Sequence, residues 1–400
     1  MPPEPRTVKL CFARLEADPA RATSFFYGRL FAAEPQLRAL FPPAMGHQRD
    51  RFFHALLRIV WSQDDPGELA DHLGGLGRGH RRYGVLREHY AAVGAALTAT
   101  LRVFAADVWT DEAEDAWAAA YRHAADTMIG AAERDAAQAP PWWAAEVTGH
   151  DRRAPDLAVV TLRPERPLPF APGQHVGVQT ARWPRVWRRY SIANAPRPDG
   201  TLRLHVRARP GGWVSGALVR CTSPGDSVLL GPAEGAMTLD PDADRELLLV
   251  GGGTGLAPMK ALAEEAAGSG RAVRLLVAAR TPDGLYDLPD LRLLEAACPR
   301  LRVLPVLSRS PGAGALSGRV PDVLPGLLDD AGGLAAYVAG PAPLVRGTVT
   351  ALQRLGVPLQ RVHHDLLTAD DPVTSRPAPA GTPSSSRPPD RTTRSRAPRP

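Results

Sequence analysis

Residues 247–262, LLLVGGGTGLAPMKAL, decide the fold class of the C-terminal half. The apolar run Leu247 to Val250 reads as a strand buried on both faces, and the segment from about Pro258 reads as a helix. Between them lie Gly251, Gly252, Gly253, Thr254 and Gly255, followed by Leu256, Ala257 and Pro258. Glycine reaches positive φ and lets the backbone approach a pyrophosphate. The free N–H groups and dipole at a helix start then favour the phosphate charge. A glycine-rich turn alone is weak evidence and reads equally as a tight loop, but a strand before it and a helix after it supply the context of a nucleotide site. Gly251 to Pro258 are therefore the candidate nucleotide contacts.

Moving outward, the runs VRLLVAA (273–279), LRVLPVL (301–307) and AAYVAG (335–340) alternate with helical patterns. That alternation builds a parallel sheet covered on both faces, an α/β domain expected over residues 241–368. Upstream the texture changes. Leu202, Leu204, Val206 and Ala208 alternate with Arg203, His205, Arg207 and Arg209, the period of a strand buried on one face only. With turns at Pro172-Gly173, Asp199-Gly200 and Pro224-Gly225, residues 142–240 read as an antiparallel β-barrel. Before AQAPPWW (137–143) the chain is alanine- and leucine-rich helix, an all-α block over 1–138. Its prolines after Asp18, Glu34 and Asp65 mark helix starts. Residues 369–400 hold almost nothing that can be buried and read as a disordered Arg/Pro/Ser-rich tail.

Composition narrows the function. The net charge is +6. The stretch from Asp371 on, with six arginines against two aspartates, carries four of those charges, and lysine occurs only as Lys9 and Lys260. The basicity reflects residue usage more than a nucleic-acid face. Three cysteines, Cys11, Cys221 and Cys298, are too far apart for a C-x-x-C site or an iron–sulfur run. Neither a secretory leader nor an apolar run long enough for a membrane span is evident, so a cytoplasmic protein is expected.

The motif RVWRRYSIANAP (185–196) contains Arg188, Arg189, Tyr190 and Ser191, and RPGGWVSGAL (209–218) contains Gly212, Val214 and Ser215. With the glycine-rich turn they resemble, in order, the ferredoxin-reductase-like flavoproteins. The resemblance implies that Tyr190 lies against a flavin, Ser191 bonds near its reactive nitrogen and Arg188 holds the FAD diphosphate. A guanidinium fork suits phosphate oxygens, and an aromatic ring suits a flat isoalloxazine. The all-α block carries TSFFYGRLFAAEPQLRALFP (23–42), QRDRFFHAL (48–56), LGRGHRRYGVLREHYAAVG (76–94) and WTDEAEDAWAAAYRHAADTM (109–128). These resemble the haem domain of bacterial flavohaemoglobins, and a globin followed by this reductase pair is that family's architecture.

Taken singly, His80 reads as a surface histidine among arginines. The resemblance makes it the proximal ligand of haem b iron, with Leu76 one turn earlier against the porphyrin. It also implies a distal Tyr27, a haem-wedging Phe41, and a helix face presenting Gln48 and Phe52, with Leu56 following at the same spacing. Bound O2 takes hydrogen bonds from a phenol and an amide. Departures from the family pattern are Phe52 for a leucine, His175 for a tyrosine, Ala339 for a cysteine and Leu367 for a terminal aromatic over the flavin. The proximal glutamate that acts with Tyr90 has no clean match, Glu133 lying about one residue from its place. Arg280 and the Ser308-Arg309 pair are candidates to hold a 2′-phosphate. The resemblance implies a nitric oxide dioxygenase that passes electrons from NAD(P)H through FAD to haem and converts NO and O2 to nitrate. Two alternatives stay open: a flavin reductase for another acceptor with a weakened globin, and an O2- or NO-binding sensor.

Overall fold

Helix signals and glycines place each element where chemistry needs it. The computed structural model describes residues 5–240, 245–309, 314–328 and 331–364; the Arg-rich tail and Leu367 lie outside them. Six helices come first: α1 (Pro5–Glu16), α2 (Pro19–Ala33), α3 (Gly46–Trp61), α4 (Pro66–Arg81), α5 (His89–Phe104) and α6 (Asp111–Ala136). The Asx-Pro signals act as read. The side chain of Asp18 accepts from the Arg21 N–H and that of Asp65 from the Glu68 N–H, each with proline in the first turn. Helices α1, α2, α3, α5 and α6 share a core that includes Phe12, Phe26, Tyr27, Leu30, Leu97 and Trp117. Helix α4 packs on α6 instead, through Leu69, Leu73 and Met128. At Gly77 any Cβ would run into the Met128 carbonyl, so only glycine lets the two helices come this close.

The second unit holds β1 (Trp143–Ala154), β2 (Leu157–Pro164), β3 (His175–Thr180), β4 (Arg188–Ser191), β5 (Leu202–Arg207), α7 (Trp213–Arg220) and β6 (Ser227–Glu234). Its sheet has the order β4-β3-β6-β1-β2-β5, antiparallel throughout. A bridge between Ile192 and Leu204 joins the two ends, closing the sheet into the expected barrel. The reading of β5 as buried on one face needs correction. Leu202, Leu204 and Val206 face the barrel core, but His205 on the opposite face is also buried, because the third unit covers it.

That unit holds β7 (Leu247–Gly252), α8 (Leu256–Ser269), β8 (Val273–Ala279), α9 (Leu288–Ala297), β9 (Leu301–Leu307), β10 (Leu316–Ser317), α10 (Val320–Val323), β11 (Ala335–Ala339), α11 (Ala342–Arg354) and β12 (Val362–His364). All its pairings are parallel, in the order β10-β9-β8-β7-β11-β12. The order reverses between β7 and β11, and ligands of such sheets bind beyond the strand ends at that point. No helix among the described residues is long and apolar enough to cross a membrane.

Candidate functional site

His80 sits on the last turn of α4, one turn beyond the Gly77 contact with α6. Its neighbour Arg81 pairs with Asp135 and donates to the Ala139 carbonyl at 2.7 Å, tying this turn to the end of α6. The Nδ1 of His80 is buried and has no hydrogen-bond partner among the described residues. Burial alone pushes its pKa down to about 4. The imidazole is therefore neutral near pH 7, the form that binds iron. An orphaned buried nitrogen on a neutral ring fits an axial haem ligand.

Around it, Tyr90 of α5 lies with its ring centroid 6.5 Å from that of His80, and Leu76 packs beside the Leu69–Leu73–Met128 cluster. Glu133 does not join them. Its carboxylate pairs with Arg87 at 2.8 Å, both side chains more than half exposed. Helix α6 turns position 133 to solvent, so the side chain of Glu133 does not fill the place of the missing proximal glutamate.

Tyr27, on α2, is 4% exposed and accepts a 3.4 Å hydrogen bond from the Gln48 side-chain amide of α3. Burial raises the pKa of its phenol to about 12, so it remains a donor. Aromatic rings surround it. Phe41 meets it edge-on at 5.5 Å, and Phe52 lies 5.7 Å away while stacking on Phe26 at 4.3 Å. The result is an aromatic wall around one hydroxyl held by an amide.

Gln48 also lines a crevice between globin and barrel, together with His47, Arg51 and Tyr83 on one side and Arg185, Trp187, Arg188 and Trp213 on the other. The candidate diphosphate ligand Arg188 and the Gln48 amide thus face one space. Strand alternation separates Arg188 from Arg189, whose side chain is 71% exposed and lies 3.9 Å from Glu234. Tyr190 packs on the edge of the barrel core, and Ser191 pairs with His175 across β3 and β4. Gly212 caps α7, Val214 is buried, and the Ser215 hydroxyl accepts from the Arg209 N–H at 3.2 Å. The free N–H groups at this helix start suit an anion.

In the nucleotide turn Gly253 has φ +57°, and a Cβ on Gly255 would lie 2.5 Å from the backbone of Ala339 and Gly340. Gly251 and Gly252 end β7, Thr254 lies in the turn, and Leu256, Ala257 and Pro258 open α8 with buried side chains. The turn is thereby pressed against the end of β11 at the order reversal. Arg280 and Arg309 are neighbours beyond β8 and β9, joined by a 3.0 Å backbone bond.

Sequence reading missed the residues that join globin to barrel. Arg82, two positions after His80, donates to Glu234 at 3.0 Å and lies over the Trp187 ring at 5.8 Å. Its partner is 152 residues away, and no contiguous pattern announces the pair.

Comparison with known proteins agrees with this layout. Family models described as Globin, as Oxidoreductase FAD-binding domain and as Oxidoreductase NAD-binding domain match residues 24–128, 145–238 and 249–350. The chain is 32% identical to a flavohemoprotein of Bordetella pertussis, covering 86% of this chain and 92% of that protein. It is 31% identical to one from Chromobacterium violaceum, covering 90% and 96%. Among solved structures, the flavohemoglobin of Malassezia yamatoensis with bound FAD and heme is similar in fold. Its TM-score is 0.68 and its identity 19%, over 90% of this chain and 98% of that one. A ferredoxin reductase of a carbazole 1,9a-dioxygenase aligns at 29% identity and TM-score 0.53, over 57% of this chain and 70% of that one.

Proposed function

The chain belongs to the flavohemoproteins, and from that premise we propose that it is an NAD(P)H-dependent nitric oxide dioxygenase. It carries a globin (haem), an FAD-binding and an NAD-binding domain in one chain and is an oxidoreductase. When bound, nicotinamide supplies two electrons, flavin splits them into single ones, and haem iron supplies one-electron and O2 chemistry. The protein's part is to hold and to orient. His80 offers a neutral imidazole from a turn pinned by Arg81. Phe41 and Phe52 keep water from the Tyr27 hydroxyl. Gln48 donates to that hydroxyl, so the phenol's own proton is left for a ligand that carries negative charge. In the reductase, Arg188 and the start of α7 serve the FAD diphosphate, with Tyr190 and Ser191 toward the flavin and the Gly251–Pro258 turn toward the nucleotide pyrophosphate.

The observation that carries the reading is the protonated Tyr27 phenol, oriented by Gln48 inside an aromatic wall. In air with NADH, the purified protein is expected to consume NO over many turnovers and to release one nitrate per NO. Consumption limited to one NO per haem contradicts the enzyme reading and supports a sensor. The outward Glu133 favours a second reading, a reductase for another acceptor. That reading requires fast dye reduction by NADH with no NO consumption.

A further inference from the structure

The contact between barrel and nucleotide domain contains a buried polar cluster that none of the steps above uses. His205, on the outer face of β5, has a fully buried side chain. Its Nδ1 lies 2.8 Å from the Tyr286 hydroxyl, with the two rings edge to face at 5.4 Å. That hydroxyl also reaches the Gly253 carbonyl in the nucleotide turn, at 3.4 Å. Next in the chain, Asp287 is fully buried at the start of α9 and pairs with Lys260 of α8 at 2.7 Å. Arg153, at the end of β1, crosses from the barrel to the Tyr286 carbonyl at 3.3 Å. The cluster therefore spans both domains and ends on the turn itself.

Buried polar groups of this kind contribute little net stability compared with apolar side chains of the same shape. They do penalise every docking orientation in which their partners are not met, because each lost contact leaves a desolvated group unpaired. An apolar contact can slide; this one keeps the His205–Tyr286 and Arg153–Tyr286 bonds in one arrangement. Burial and the nearby cations Lys260, Arg153 and Arg203 hold His205 well below the usual histidine range, so its ring is neutral; its Nδ1–H donates to the phenol oxygen, whose own proton goes to the Gly253 carbonyl.

We infer that His205 and Tyr286 are a positioning pair: they fix the orientation in which the nucleotide domain docks on the flavin barrel, and so the angle at which nicotinamide meets the flavin. The inference rests on the FAD and NAD domains and not on NO chemistry, so it can fail or stand independently of the dioxygenase proposal. The nucleotide still binds within its own domain when the pair is cut, but the domain then docks in more than one orientation. Affinity is thus spared while transfer slows.

The test compares the FAD-loaded full chain with Tyr286→Phe, His205→Leu and the double variant, each of which keeps an apolar filling at the site. Anaerobic stopped-flow gives the flavin reduction rate at saturating NADH, and calorimetry gives NAD+ affinity and the unfolding midpoint. Each single variant is expected to lose about tenfold in saturated rate, the scale that small misplacement of reactants costs. NAD+ affinity changes by less than about twofold, and the double variant is no slower than Tyr286→Phe, which already cuts the link to His205. An unchanged rate overturns the inference. So do losses that multiply in the double variant, or a rate loss matched by equal loss of NAD+ affinity or by a fall in unfolding midpoint, which mark a merely structural role.

Discussion

The nucleotide turn and the globin pocket are built from different parts of the chain. At residues 251–258 the backbone makes the site: Gly253 supplies a left-handed φ and Gly255 a gap that no Cβ fits, while the buried side chains of α8 only anchor the turn. In the globin, side chains make the site. One phenol from α2 and one amide from α3 meet in aromatic surroundings, and α4 supplies a buried imidazole beside Tyr90. A site of the first kind is damaged by adding a carbon, and one of the second by removing a single atom.

The largest effect tests the backbone half. Gly255→Val places branched carbon where Ala339 and Gly340 already lie, and neither is a side-chain tip that can swing away. Overpacking of this sort costs about 1–3 kcal/mol or more, so flavin reduction by NADH should fall by roughly a hundredfold. The haem spectrum should not change. Stopped-flow and absorption together check both halves; loss of haem from this variant would erase the distinction between the two sites.

Next comes the side-chain half. Tyr27→Phe deletes one oxygen and leaves the ring against Phe41 and Phe52. Loss of a buried hydrogen bond should speed O2 dissociation by about tenfold to a hundredfold while NADH-driven dye reduction is untouched. Because the phenol titrates near 12, its donor form persists, and O2 dissociation from the unaltered protein should be flat between about pH 6 and pH 10. A rise across that range means that Tyr27 ionises early and is not the donor.

The smallest effect sharpens the border of the pocket. Glu133→Gln breaks only an exposed pair with Arg87, and such pairs carry little. Haem reduction potential and NO turnover should move by less than about twofold. A larger change would reinstate Glu133 as a partner of His80.

The same contrast explains what was legible in the sequence. The glycine turn was readable because its constraint lies in eight contiguous residues flanked by a strand and a helix. The helix starts at Asp18-Pro19 and Asp65-Pro66 were readable for the same local reason. His80, Tyr27, Phe41 and Gln48 became candidates only through resemblance to a family, since nothing local separates an iron ligand from a surface histidine. The one-residue offset of Glu133 was legible, and its consequence is physical: one residue on a helix turns a side chain by about 100°, enough to move it from pocket to solvent. The His205–Tyr286 pair was invisible: its members are 81 residues apart, and the strand pattern of β5 put His205 on a face read as solvent. The one hint was Lys260, which stands where a chain of arginines keeps one of its two lysines, and it is buried against Asp287.

The central claim is that electrons from NADH cross a flavin to iron held by His80. Anaerobic NADH titration of the haem- and FAD-loaded protein and of His80→Ala, followed across the flavin and Soret bands, tests it most directly. The account predicts flavin bleaching in both proteins and a ferrous Soret shift in the unaltered one alone. An equally intense Soret band in His80→Ala, shifting at the same rate, would contradict it.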